Sequence, residues 1–193
     1  PVGAVKTVTK ANGNELYEID GKPVYEVLRE YLDITQVGTW DSPIGNISFG
    51  FEAPAAYAQC DDPYEFLITH VAPTNEHAQR GCVFVPRLIK NGDKIWIMRR
   101  DQERIAVGNE RMAKKLRARH EGKEPAFVLH FDCASRGRSC FGEKKKTELL
   151  SELRNLVGPS SPWVGFYSYG EFCPVSSVNC GHCYTAVILA AYL

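Results

Sequence analysis

Apolar and polar positions alternate over residues 5–9, break at Ala11-Asn12-Gly13-Asn14, and resume over 15–19. A period of two marks a strand with one buried face, and Asn-Gly is turn chemistry, so an N-terminal hairpin is expected. After Asp20-Gly21-Lys22-Pro23 the period changes. Val24, Val27, Leu28, Tyr31 and Leu32 recur at three- and four-residue steps, which places them on one face of a short helix. From 33 to 62 the pattern fades among Gly38, Pro43, Gly45, Gly50 and Pro54, and irregular structure is expected there. Strands follow over 64–71, 81–87 and 94–98, the last two joined as a meander by the Asn91-Gly92-Asp93 turn.

A long polar helix over about 103–120 leads to a nearly unbroken apolar run at 126–131, the mark of a buried strand. A helix returns over 143–157 and stops at Gly158-Pro159, where the backbone cannot continue helical. Strands over 163–169 and 184–192 close the chain. This order implies a mixed β-sheet covered by helices, α/β or α+β in class, with the hairpin at its N-terminus.

Composition narrows the function. A chain of 193 residues with 44% hydrophobic content can bury a sizeable core. Lys plus Arg balance Asp plus Glu at 23 each, so no net field favours nucleic acid or an anionic membrane. The basic cluster at 111–119 carries Met112 and Leu116 four apart, which reads as a solvated helix with one apolar stripe. No apolar run is long enough to span a bilayer, and the cytoplasm is the expected compartment. The seven cysteines form no secreted-type framework and are expected to be reduced thiols.

Candidate chemistry gathers where apolar strands end. Phe131-Asp132-Cys133-Ala134-Ser135-Arg136-Gly137-Arg138 and Tyr167-Ser168-Tyr169-Gly170-Glu171 place polar groups after buried runs, as ligand sites of open sheets do. Arg136 and Arg138 could grip a carboxylate or phosphate with paired hydrogen bonds. Glu171 could pair with a ligand ammonium or with Arg136, and Asp132 could serve the same cation or cap its turn. Cys133 would be reactive if the arginines lowered its pKa, and is otherwise a small buried hydrophobe. Arg99 completes the expected set of Cys133, Arg136, Arg138, Glu171 and Arg99.

Cys173, Cys180, His182 and Cys183 are the candidate metal ligands, with one Cys-x2-Cys pair where a zinc knuckle normally shows two. His70, His77, His130 and His182 could ligate haem by chemistry alone, though no haem attachment sequence occurs. His130 reads instead as a hydrogen-bonded interior residue. No cofactor is expected, with haem and zinc as the alternatives. Nucleophile elbow, P-loop, dinucleotide and zinc-protease motifs are absent, and strand alternation turns Cys133 and His130 to opposite faces, so no catalytic constellation is expected.

The same segments carry a resemblance. A strand ending in Cys133, a Gly137-Arg138 turn, a strand running into Gly170-Glu171 and Pro174, and a terminal strand containing Thr185 follow the order of the C-terminal half of FIST domains. Residues 8–23 and the helix ending Arg29-Glu30-Tyr31-Leu32 resemble the junction that enters that half. On this resemblance 1–20 would be the hairpin end of a preceding half-domain and 21–193 a sensory domain. It also implies a small-molecule ligand such as an amino acid and a histidine kinase or chemotaxis receptor as signalling partner, and some members of the family bind haem and sense nitric oxide. A haem- or metal-dependent redox sensor and a protein-interaction scaffold without ligand are the alternative expectations. The chain departs from the family after Glu65-Phe66-Leu67-Ile68-Thr69-His70, where an arginine usually follows, and at Asn179–Thr185, where a His-Asn pair commonly precedes the threonine.

Overall fold

The structure is a computed structural model that describes residues 1–31, 47–52, 66–71, 75–175 and 178–193, without the side chains of Ser139 and 173–178. The chain forms two compact units, Pro1–Arg99 with Pro174–His182, and Arg100–Cys173 with Cys183–Leu193. Both contain strands and helices, an α+β arrangement with mixed sheets.

In the first unit, β1 (Lys6–Asn12) and β2 (Glu15–Ile19) form the expected hairpin, with Gly13 at φ 63° in the turn, where the missing Cβ removes the steric penalty. β3 (Lys22–Pro23) pairs with β2, and α1 (Val24–Arg29) follows, its last turn tightened by Tyr31 N–H donating to the Leu28 carbonyl at 3.1 Å. Val8, Leu16 and Ile19 from the hairpin meet Val24, Val27 and Leu28 from the helix in one buried cluster. The spacing that predicted the helix is the spacing that fills this core.

Two expectations fail in this unit. Residues 47–52 form β4 (Ile47–Glu52), a strand between β7 (Lys94–Arg99) and β5 (Phe66–His70), where irregular structure was expected; 32–46 and 53–65 lie outside the described residues. Gly50 read as punctuation, but a Cβ there would come within 2.8 Å of Met98 Sδ, so the missing side chain makes room for the Met98 thioether on β7. The second failure is the meander. β6 (Val83–Phe84) is two residues long and pairs with β2, while β7 pairs with β1 and β4. Pro86 has no N–H to extend a ladder, and Val85 and Ile89 instead donate to Asn14 and Gly13 carbonyls at the hairpin turn. The sheet order is β3-β2-β1-β7-β4-β5 with β6 beside β2. A short helix, α2 (Asn75–Gln79), precedes β6.

The hairpin is therefore an inner part of the first unit's sheet.

The second unit holds α3 (Gln102–Arg119), β8 (Phe127–Cys133), α4 (Arg138–Val157), β9 (Trp163–Ser168) and β12 (Ala186–Ala191). β8 and β9 are parallel, joined through α4, and β12 runs antiparallel on the other side of β8. Asp101 caps α3 by accepting from the Arg104 N–H at 3.0 Å. Inside α4, Gly142 at φ 70° breaks the helix, so its regular stretch begins at Glu143, the residue from which the sequence predicted it. Ala113, Val128, Leu153 and Val157 form the core with Met112, Leu116, Trp163 and Ile188, so the apolar stripe of the basic helix packs inward as expected.

β8 is not buried on both faces. Val128, His130 and Asp132 are buried, whereas Phe127 on the alternate face is exposed, as are Val164 and Phe166 of β9 and Leu189 of β12. β10 (Glu171–Val175) and β11 (Val178–His182), which the sequence did not signal, form a two-stranded ribbon.

Candidate functional site

The chemistry of the second unit starts from the alternation along β8, which sends His130 and Asp132 to the same face as Val128, and Cys133 to the other. Asp132 is 3% exposed and stands between two cations. Arg136 Nη1 donates to its Oδ1 at 3.1 Å, and Lys146 of α4 forms an ion pair with its Oδ2. Arg136 Nη2 donates to Asn109 Oδ1 of α3. A β-strand, a turn and two helices are thus tied by one carboxylate.

Gly137 makes this possible. A Cβ there would lie 2.7 Å from Tyr167 Cε1 and 3.0 Å from Asp132 Oδ2, so only glycine lets the turn pass beneath the ring.

Beside this cluster a cavity of about 430 Å³ opens between α4 and β9. Lys146, Leu150 and Arg154, spaced at four-residue steps on α4, form one wall; His130 and Asp132 of β8 form the floor; Trp163, Gly165 and Tyr167 of β9 form the other wall. A Cβ at Gly165 would overlap the His130 carbonyl oxygen, so this strip of β9 carries no side chain beside His130. The volume falls within the range of small-molecule sites.

His130 is 7% exposed, and its buried Nε2 has no hydrogen-bond partner among the described residues. Burial pulls its pKa down to about 4; Asp132 opposes that shift, and Lys146 and Arg136 add to it. At neutral pH it is an uncharged imidazole with one ring nitrogen unsatisfied. The sequence placed His130 correctly in the interior and was wrong that it would be hydrogen-bonded there.

The residues singled out from sequence fall in four places. Arg136 is buried and committed to Asp132 and Asn109, leaving no fork for a ligand. Arg138 is exposed and paired with Glu143 on its own helix. Arg99 is exposed at the end of β7 and belongs to the first unit, whereas the other four belong to the second. Glu171 is 4% exposed and accepts from Ser168 Oγ at 2.6 Å and Thr185 Oγ1 at 2.7 Å, so it pairs with two hydroxyls and not with Arg136. Cys133 is 3% exposed, and burial pushes its thiol above its usual pKa, with the nearby Glu171 carboxylate acting in the same direction. The Arg136 backbone hydrogen bond pulls the other way but burial outweighs it, and the two guanidinium groups are engaged with Asp132 and Glu143.

Among the described residues Cys82, Cys133, Cys140, Cys180 and Cys183 form no disulfide. Cys180 and His182 lie in the first unit and Cys183 in the second, while the Cys173 side chain lies outside the described residues. Among the described residues no three His, Cys, Asp or Glu side chains come together as metal ligands. No helix among them is long and apolar enough to cross a membrane.

Sequence reasoning missed Lys146, Trp163, Tyr167 and Arg154. Only the four-residue spacing of Lys146, Leu150 and Arg154 was visible, and it reads equally as a surface stripe.

The chain matches the FIST C domain family over residues 25–174. Uncharacterized protein Mb0898c of Mycobacterium bovis is 27% identical over 197 residues, covering 96% of this chain and 46% of its own length. Uncharacterized protein Rv0628c of Mycobacterium tuberculosis is 26% identical over 189 residues, covering 96% of this chain and 47% of its own. The chain thus spans about half the length of the curated relatives it matches. No solved structure matches. Because the family match runs from α1 through β10 and takes in α4, β8 and β9, the elements that build the cavity, the chain belongs to the FIST C domain family.

Proposed function

We propose that this chain is the ligand-binding part of a cytoplasmic sensory module, taking a small metabolite in the cavity between α4 and β9, without catalysis, and passing the signal to a partner such as a histidine kinase or chemotaxis receptor. The observation that carries the reading is the unsatisfied His130 Nε2 in the floor of a cavity walled by apolar rings and a buried ion pair. A buried polar atom without a partner costs stability. A ligand group bound there would remove that cost. The reading without catalysis rests on the same inventory: the buried thiol is held protonated by its surroundings, and each side chain of the Asp132 cluster is bound to another.

His130 Nε2 also keeps a haem reading in view, since an imidazole nitrogen is a common axial ligand. A porphyrin there would have to lie against the charged Asp132–Lys146 pair lining the same cavity, which fits a small polar molecule better. An absorbance spectrum separates the two, because a Soret band on the purified protein would replace the metabolite reading.

The direct test fills the cavity. Leu150 is partly exposed on α4 and lines it, so Leu150→Trp should leave the thermal transition within a few degrees and abolish the stabilisation given by any bound metabolite. Ligand-induced stabilisation that persists in Leu150→Trp would place the site elsewhere.

A further inference from the structure

The charges around the cavity do not cancel. Among the described residues its lining holds one acid, Asp132, and two bases, Lys146 and Arg154, and Arg136 adds a further cation against the same carboxylate. Lys146 is only 5% exposed and shares its counter-ion with Arg136. A buried ammonium with half a partner attracts an anion, since the desolvation it has suffered is then offset. Arg154 lies on the same stripe of α4, exposed where an arriving anion would meet it.

The one acid in the lining is already outnumbered. Asp132 Oδ1 accepts from Arg136 and Oδ2 lies in an ion pair with Lys146, so this carboxylate faces two cations. The ammonium of a zwitterionic ligand would be a third cation against a single negative charge. His130 Nε2 offers something different: an uncharged imidazole nitrogen, suited to a hydroxyl or carbonyl. Leu150, Trp163 and Tyr167 supply the apolar walls.

We infer that the ligand is a monocarboxylate with an apolar body and an uncharged hydroxyl or carbonyl, its carboxylate held by Lys146 and Arg154 and its uncharged polar group at His130 Nε2. Zwitterionic amino acids bind more weakly. The inference rests on the cavity being the ligand site, so its test must separate the two.

The probes are phenyllactate and phenylalanine, which differ in carrying a hydroxyl or an ammonium, and phenylpropionate, which carries neither, titrated calorimetrically into the 193-residue chain. Phenyllactate should bind about tenfold or more tightly than phenylalanine, lose about tenfold with Arg154→Gln, and lose its advantage over phenylpropionate with His130→Phe. Should His130→Phe not fold, the exposed Arg154→Gln carries the test. Phenylalanine binding as tightly as phenyllactate, with both abolished by Leu150→Trp, would overturn the ligand class and leave the cavity standing. Phenyllactate binding unaffected by Leu150→Trp would overturn the cavity itself. No heat from phenyllactate or from its aliphatic analogue 2-hydroxyisocaproate would overturn the class.

Discussion

The second unit turns on two buried side chains of one strand. Asp132 holds Arg136 and Lys146 below the surface, so Asp132→Asn leaves two buried cations without a counter-charge. Breaking a buried pair in this way costs about 3–5 kcal/mol, and denaturant unfolding should show a loss of that size. His130 couples the unit to pH. Its folded pKa of about 4 lies below the unfolded value of 6.5, so the unfolded chain binds the proton first. The stability it contributes is fully present above pH 6.5 and is lost as pH falls towards 4, with a ceiling of roughly 3 kcal/mol from the size of the shift. Unfolding free energies measured between pH 7 and 4 should fall less steeply in His130→Phe than in the parent chain. The position of His130 in the interior was legible from its apolar neighbours. Its unsatisfied nitrogen was not, because a sequence shows that a residue is polar without showing what faces it.

At the scale of elements, helices were read best. The stretch from Glu143 to Val157 was predicted as it stands, since its apolar spacing, polar start and Gly158-Pro159 stop all agree. The turn before it was not, although Gly142 marks it: at φ 70° and ψ 171° the backbone sits where only glycine is comfortable. A Cβ there would meet nothing within 4 Å, so Gly142→Ala tests backbone strain alone and should cost about 1–3 kcal/mol in thermal or chemical unfolding, with affinity for a bound metabolite unchanged. Strands were read worse. β4 was lost because its glycine serves contact with Met98 rather than a turn, and β6 was overextended because Pro86 lies within an otherwise strand-like run. In both cases the deciding partner, Met98 or the hairpin turn at Gly13 and Asn14, is remote in sequence.

For the molecule as a whole, the sequence signalled the fold class and the family. Both units are discontinuous, each taking a distant return of the chain, and no linker-like composition marks such a boundary. The second unit depends on its return. β12 pairs with β8 from Ala186 opposite Asp132 to Ala191 opposite Phe127, and brings Ile188 and Ala190 to the core. Ending the chain before Ala186 should therefore melt the second unit, seen as loss of the near-ultraviolet circular dichroism of Trp163, and abolish ligand binding. The candidate site was legible only as a region. The strand ends were located, whereas the cavity lies along the side of β9, where a helix two turns from any motif supplies the wall.

On the other side of that cavity wall lies a consequence for handling the protein. β9 pairs only with β8 among the described strands, and Trp163-Val164-Gly165-Phe166-Tyr167-Ser168 contains no lysine, no proline and no charge. Edge strands are ordinarily guarded against adding further strands by just those residues. With Val164 and Phe166 exposed as well, β9 is an unguarded template, and Val164→Lys should raise the concentration at which light scattering first reports aggregation.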